Sequence, residues 1–401
     1  MGILRDKSAF MKVMKVNSSF LHKISARCVR HVNGYKDTII KLGRYIHHNP
    51  EIGFKEEKAV TSIIEFLNSL GFKTEINYCQ LKTAFKSVIK NGNKGKSVAV
   101  LAEYDALPGL GHGCGHNLIS VAAVTSAVIM TKTRELWEGE FCVIGTPAEE
   151  LYAGKGIMAE RGAFSGIDAC FMAHPSSSSM MTVPSNALET IIITFKGKAA
   201  HAAVNPEDGI NALDAAVLFY NSINSLRQHM REDARLHAII TEGGKAVNVI
   251  PDTAEVKVVV RSNDEKYLSE LKRRVCNAAK SAGKAIGADV LLKEEKPSYR
   301  AFKINLWLDN ILRETFKLIG IELGMPHAKE SRGSLDMGNV SRIIPSAHPF
   351  FSIVPKGKKH IPLHTNRFMK QADTNYAYEQ AIKAGIAMAL AAISLLARRK
   401  R

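Results

Sequence analysis

Three apolar runs suited to strands, at 97–102, 140–146 and 167–173, alternate with helical stretches at 117–131 and from Gly154 to Glu160. Strand–helix alternation of this kind predicts a mostly parallel sheet flanked by helices, an α/β architecture. It also dictates where chemistry can sit, because open α/β sheets bind ligands just beyond the carboxyl ends of their strands. Asp105, Glu149, Glu150 and His174 each stand just past such an end, and Cys114 and His116 lie in the loop after the first run. A carboxylate, an imidazole and a thiolate on one sheet edge are the donors of a hydrolytic metal site.

Each of these residues also has a plain structural reading. A Cys and a His one residue apart, in His112-Gly113-Cys114-Gly115-His116, could be a buried thiol beside a helix-starting imidazole, or soft ligands for zinc or manganese. Glu149 and Glu150 could simply be acids favoured by a helix N-terminus. Two adjacent carboxylates in one pocket nevertheless repel each other unless a cation is near. A metal resolves that conflict for one of them, and the other can accept a proton from a water whose pKa the metal lowers. Pro175 holds His174 extended, a posture suited to a rigid ligand. Convergence on one edge favours the metal reading. His201, in Gly197-Lys198-Ala199-Ala200-His201-Ala202, and His364, after Pro362, receive no role from periodicity.

At 401 residues the chain exceeds one comfortable core, so two domains are expected. Residues 187–296 read β-α-β-β-α-β, the order of the split βαβ, ferredoxin-like unit. Pro184 and Pro297 bracket it as hinges. The expected division is a basic segment at 1–36, disordered or targeting; a first catalytic part at 37–186; an inserted domain at 187–297; a second catalytic part at 298–397; and a basic tail at 398–401. The two ends carry +7 and +4 of the net charge of +17, leaving +6 for the body. No basic face with groove-reading or aromatic elements is visible, so nucleic acid is not an expected partner. No run of about 18 apolar residues predicts a membrane span, and the Ala-rich stretch at 384–397 reads as a packed helix. Six cysteines without framework spacing favour free thiols and a cytoplasmic location. The alternative is mitochondrial, since the N-terminal segment is basic and poor in acids.

Taken together, the motifs resemble the dinuclear-metal aminoacylase/carboxypeptidase metallopeptidase family, and within it the amidohydrolase branch of aminobenzoyl-glutamate hydrolase and β-alanyl-lysine dipeptidase. The matching pieces are His48-Asn49-Pro50-Glu51-Ile52-Gly53-Phe54, Glu103 to Asn117, Thr146 to Glu150, Ala173-His174-Pro175, Gly197 to Ala203, Ala246 to Asp252, Asp336 to Val340 and His364 to Phe368, in order over 37–397. The resemblance implies metal ligands at Cys114, His116, Glu150, His174 and His364, with Glu149 as the base. It implies two divalent ions per subunit, zinc with manganese as the alternative. It implies that the inserted domain is a lid that pairs subunits in a homodimer. It also implies that His201 polarises the scissile carbonyl, often across the dimer, and that Asn248 lies near substrate. The implied reaction is hydrolysis of small dipeptides, β-alanyl-lysine-type among them, or of N-acyl amino acids such as aminobenzoyl-glutamate. An inactive binding protein on the same fold is the remote alternative. One departure is Glu103-Tyr104-Asp105 in place of the His-x-Asp ligand motif of many relatives, which makes Asp105 an outer residue that orients a ligand. Leu335 is another, where the close branch often has a small polar residue.

Overall fold

The computed structural model describes residues 18–92, 95–326 and 333–398. They divide into two compact units. The first takes in the described residues up to Val183, those from Lys303 to 326 and those from Asn339 onward, and the second takes in Pro184–Phe302 with 333–338.

In the first unit the expected strands are present, preceded by two more. The series runs β1 (Lys73–Ile76), β2 (Phe85–Asn91), β3 (Lys96–Ala102), β4 (Gly139–Gly145), β5 (Ala169–Phe171) and β6 (His174–Ser176). The sheet order is β1-β2-β4-β3-β5, followed by the strand Ser346–Ala347. β3 runs parallel to β4 and β5, and β5 parallel to Ser346–Ala347, while β1 and β2 add an antiparallel edge. β6 pairs separately, in parallel, with Phe350–Ser352.

Two helices, His116–Lys132 and Asn375–Leu396, are buried along most of their length, as their predominantly apolar sequences require. Asn375–Leu396 is the one helix among the described residues long and apolar enough to cross a membrane. Protein already covers 78% of that window, so it is a core helix. Its contact with His116–Lys132 depends on Gly385, where a Cβ would lie 2.4 Å from the Ala122 carbonyl oxygen and 2.5 Å from Thr125 Cβ.

The expectation that 1–36 is disordered needs correction over 18–33. Ser18–Asn33 is a helix, and Leu21, Ile24, Cys28 and Val32 are buried in the core of this unit. Their spacing of three and four residues is an amphipathic stripe that the surrounding basic residues mask in the composition. Residues 1–17 and 399–401 lie outside the described residues.

The second unit is the expected βαββαβ element: β7 (Ala187–Lys196), helix Ala212–Leu226, β8 (Arg235–Glu242), β9 (Thr253–Ser262), helix Glu265–Ile286 and β10 (Asp289–Tyr299). Its sheet order is β10-β7-β9-β8, antiparallel throughout. Alternate residues such as Ile191, Ile193, Val256 and Val258 point into a core of their own, shared with Phe219 and Leu271 from the helices. Asp264 caps Glu265–Ile286 by accepting from the Lys266 and Tyr267 backbone N–H groups, and Gly287 ends it at φ 82. β10 runs past Pro297 because Tyr299 still pairs with Leu188 beyond a bulge, so this unit ends at Phe302 rather than at 297.

One buried carboxyl shapes the turn after β4. Ala148 adopts a left-handed conformation, φ 59, just before Glu149, and its N–H donates to Glu56 Oε1 at 2.8 Å. Glu56 is fully buried, and burial pushes its carboxyl up to about 7.

Both features are open to measurement. Gly385→Ala should lower the thermal midpoint, at a cost of about 1–3 kcal/mol for overpacking, although the same change in an open helix would stabilise by about 1 kcal/mol. An unchanged or raised midpoint would refute the close helix contact. The Glu56 carboxyl keeps its proton in the folded state over a range in which the unfolded chain has lost it. Its contribution to stability is therefore fullest below the ordinary value of 4.5 and drains away as pH rises to about 7. Glu56→Gln should shrink the stability lost between pH 5 and 7.5 by about 1–3 kcal/mol in chemical denaturation. An identical pH slope in variant and wild type would show that Glu56 is already ionised in the fold.

Candidate metal centre

The carboxyl edge of the first unit gathers Cys114, His116, Glu149, Glu150, His174 and His364. Cys114 and the N-cap Gly115 precede His116–Lys132, so the loop after β3 delivers thiol and imidazole together. Glu149 and Glu150 open a four-residue helix, Glu149–Tyr152, after β4. His174 begins β6. His364, at φ 59, is tied to the same loop because its N–H donates to the Gly113 carbonyl at 2.9 Å.

Donor atoms of these side chains fall into overlapping groups. Cys114, His116 and His174 form one; Cys114, Glu150 and His364 a second; and His116, Glu149 and Glu150 a third, each within 4.8 Å of one another. Cys114 Sγ is 3.6 Å from His174 Nε2, and Glu150 Oε1 is 3.5 Å from His364 Nε2 and 3.8 Å from His116 Nε2. A tetrahedral ion at about 2.0–2.3 Å from its donors holds them about 3.4–3.6 Å apart. The two nitrogen–oxygen spacings are too long for good hydrogen bonds, and all three spacings suit donors around a cation.

The neighbouring atoms prepare the imidazoles for that use. His116 Nδ1 faces two acceptors, the Asp105 carbonyl at 2.9 Å and Asp105 Oδ1 at 3.0 Å, so it carries the proton and leaves the Nε2 lone pair inward. His174 Nδ1 donates to the Pro175 carbonyl at 2.7 Å with the same result. Asp105 Oδ2 also accepts from the Glu150 N–H at 3.0 Å, so one buried carboxylate orients two donors. His116 Nε2 and Glu150 Oε1 are buried with no hydrogen-bond partner. Orphaned buried polar atoms of this kind are costly unless a ligand satisfies them.

The electrostatics are those of a cavity short of positive charge. Burial pushes the Cys114 thiol far above its usual range. It pushes His174 down to about 4, neutral and ready to donate its lone pair. Burial would also lower His116, but Cys114, Asp105 and Glu103 hold it well above its usual value. The Glu150 carboxyl is raised by burial and then brought below its usual range by the facing His364 and by the charge of His116.

Two residues that received no role from the sequence belong to this cluster. Glu103 is buried with its Oε2 3.4 Å from His116 Nε2, and Lys155, fully buried, sets its Nζ 2.5 Å from Glu103 Oε1. The one signal for Lys155 is its place between Gly154 and Gly156 at the start of helix Gly154–Glu160. A Cβ at Gly154 would lie 1.8 Å from the Pro147 carbonyl oxygen, so that turn is pressed against the backbone and draws Lys155 inside. In a further cluster, His47, His48 and Asp373, the carboxylate is already satisfied. His48 Nε2 lies 2.8 Å from Asp373 Oδ2, the Tyr378 hydroxyl donates to Oδ1 at 2.8 Å, and Arg44 adds positive charge at 4.0 Å.

His201 and Asn248 lie together in the second unit. His201 bridges Val249, the Ala202 N–H donates to the Asn248 carbonyl at 3.0 Å, and both side chains are exposed.

Comparison with known proteins fits this geometry. The family described as Peptidase dimerisation domain matches residues 188–286. The Xaa-Arg dipeptidase of Mus musculus is 32% identical over 94% of this chain and 90% of its own. One chain of the p-aminobenzoyl-glutamate hydrolase of Escherichia coli is 32% identical over 69% of this chain and 61% of its own. A Bacillus subtilis dinuclear metal-binding peptidase of the M20 family superposes with a TM-score of 0.71 at 22% identity, covering 91% of this chain and 99% of that one. A putative aminohydrolase from Staphylococcus aureus superposes at 0.80 with 20% identity, covering 93% and 100%. Identity above 30% along almost the whole chain, with the metal donors assembled, makes the protein a member of the M20 family of metal-dependent peptidases and amidohydrolases.

Proposed function

We propose that the protein hydrolyses the amide bond of small dipeptides, and that those with a basic C-terminal residue are its preferred substrates. The near-full-length similarity to an Xaa-Arg dipeptidase supports the substrate class. The observation that carries the reaction type is the overlap of two donor groups at Cys114. In this reading Cys114, His116, Glu150, His174 and His364 hold two divalent ions, zinc or manganese. Bound there, the ions polarise the scissile carbonyl and lower the pKa of water. Glu149 accepts the proton of the attacking water and returns it to the leaving amine. Asp105 holds His116 and the Glu150 backbone in place. His201 donates to the developing oxyanion and Asn248 binds substrate. The subunits pair as a homodimer through the second unit, in keeping with the dimerisation family that matches it. Hydrolysis of N-acyl amino acids or aminobenzoyl-glutamate is the second reading, supported by the similarity to aminobenzoyl-glutamate hydrolase. A cytoplasmic location is the reading that six free thiols favour, and import of a reporter fused to residues 1–36 would overturn it.

Three measurements test this reading. A panel of dipeptides, N-acyl amino acids and aminobenzoyl-glutamate, assayed with zinc and with manganese, should give the highest kcat/KM on dipeptides ending in Arg or Lys. A preference for acyl substrates would move the protein to the second reading. Glu149→Gln should retain metal but lose at least about 10²-fold in kcat, whereas Glu150→Gln should lower metal occupancy. Near-normal turnover of Glu149→Gln would remove it as the base. Inactive His201→Ala mixed with inactive Glu149→Gln should regain part of the activity once subunit exchange is demonstrated. A mixture that exchanges yet stays inactive would confine His201 to its own chain or remove it from the reaction.

A further inference from the structure

The residues from Glu51 to Glu56 lie against the two loops that carry the chemistry. The Glu51 carbonyl accepts from the Ala106 N–H at 2.8 Å, one residue beyond Asp105. Gly53 presses on the turn before Glu149, where a Cβ would lie 2.8 Å from Ala148 Cβ and 2.9 Å from Ala148 Cα. Glu56 Oε1 accepts from the Ala148 N–H at 2.8 Å, at the start of helix Glu149–Tyr152. The Phe54 ring stacks on Tyr152 at the end of that helix, with centroids 5.3 Å apart. A four-residue helix holds its own shape poorly, because its first turn fixes many backbone angles for few hydrogen bonds. This one is also flanked by left-handed alanines, Ala148 at φ 59 and Ala153 at φ 47, which lack the freedom of glycine. Outside contacts must therefore fix the direction in which Glu149 leaves the backbone. Glu56 is placed to do so. It is fully buried and directly precedes helix Glu57–Ser69, whose Ala59, Ile63 and Leu67 lie in the core. Glu150 is secured separately, since its own N–H donates to Asp105 Oδ2 at 3.0 Å.

We propose that Glu56 is a positioning residue for the base Glu149, acting through the Ala148 N–H, and that Gly53 and Phe54 complete the same clamp. The proposal rests on Glu149 being the base and adds what aims it. Glu56 touches neither substrate nor ion in this account. Its acceptor oxygen holds the left-handed turn, and the turn sets where the Glu149 carboxylate stands. With Glu150 held from Asp105, loss of the Glu56 contact frees the base while leaving the neighbouring ligand in place. A Glu56 that served the fold alone would alter stability and metal content, and would leave the turnover of each folded, loaded molecule intact.

The test compares wild type, Glu56→Met, Glu56→Gln, Phe54→Leu, Glu149→Gln and the double variant Glu56→Met/Glu149→Gln. Each is loaded with the metal that gives wild type its higher turnover and assayed on the panel substrate that wild type hydrolyses fastest. The readouts are kcat and KM per loaded molecule, metal content and thermal midpoint. Glu56→Met removes the acceptor at similar volume and should lower kcat by about 10–100-fold, the order of cost of misplacing a catalytic group by about 1 Å. Its KM and metal content should stay at wild-type values. Glu56→Gln keeps an acceptor oxygen and should recover most of the lost kcat. Phe54→Leu, at a half-buried position, should lower kcat in the same sense but by less, and it decides the question if Glu56→Met does not fold. In the Glu149→Gln background, Glu56→Met should lower the residual kcat no further, because no base is left to aim. Wild-type kcat in folded Glu56→Met, or in Phe54→Leu should Glu56→Met not fold, would overturn the proposal. So would an equal proportional loss in both backgrounds, which would make Glu56 a residue of the fold alone. Wild-type turnover in Glu149→Gln would instead overturn the reading of Glu149 as the base.

Discussion

The fold is organised around a surplus of buried negative charge. Glu103, Asp105 and Glu150 lie buried or nearly so at one sheet edge, beside the Cys114 thiol, and Lys155 is the fixed cation set among them. A low-dielectric interior does not tolerate such a group of anions without compensation. The protein therefore invests its backbone in holding them. The Asp105 carbonyl and carboxylate grip His116, the Pro175 carbonyl grips His174, and the Gly113 carbonyl ties in His364. The first two contacts occupy one ring nitrogen of each imidazole and leave the other facing the cluster.

The apolar framework explains how so strained an edge persists. His116–Lys132 and Asn375–Leu396 are buried along most of their length, and their close approach at Gly385 locks the helix that starts at His116. Left-handed Ala148 and Ala153 bracket the Glu149–Tyr152 turn, conformations that cost an alanine energy. Glu56 holds the first from beneath through the Ala148 N–H. Strain at the chemistry is thus offset by packing and hydrogen bonding away from it.

Much of this was legible because periodicity and strand ends are local signals. β3, β4, the two long helices and the whole βαββαβ unit announce themselves in runs of apolar residues. β1 and β2 do not, since Lys73, Glu75, Lys86 and Lys90 interrupt them and β1 is largely exposed. The helix Ser18–Asn33 was hidden by its basic residues, although Leu21, Ile24, Cys28 and Val32 keep helical spacing. At the site, Cys114, His116, Glu149, Glu150 and His174 could be singled out because carboxylate, thiol and imidazole are conspicuous at strand ends, whereas His364 drew notice only through the family resemblance. The burial of Lys155 could not, because it depends on Gly154 meeting the Pro147 carbonyl, a contact between segments rather than a pattern within one. The partner oxygen on Glu103 was equally silent, since only its distance to His116 gives it meaning.

The two donor groups that share Cys114 differ in their access to water. Cys114, His116 and His174 are all buried, whereas the second group ends in His364, whose side chain is 54% exposed on a loop. Two ions held in these groups would be unequal in lability. The one reached through His364 would exchange with its surroundings first, and the one behind it would leave only after its neighbour. The site would then fill and empty in a fixed order, and at low metal supply the protein would persist as a one-ion form with its inner position occupied.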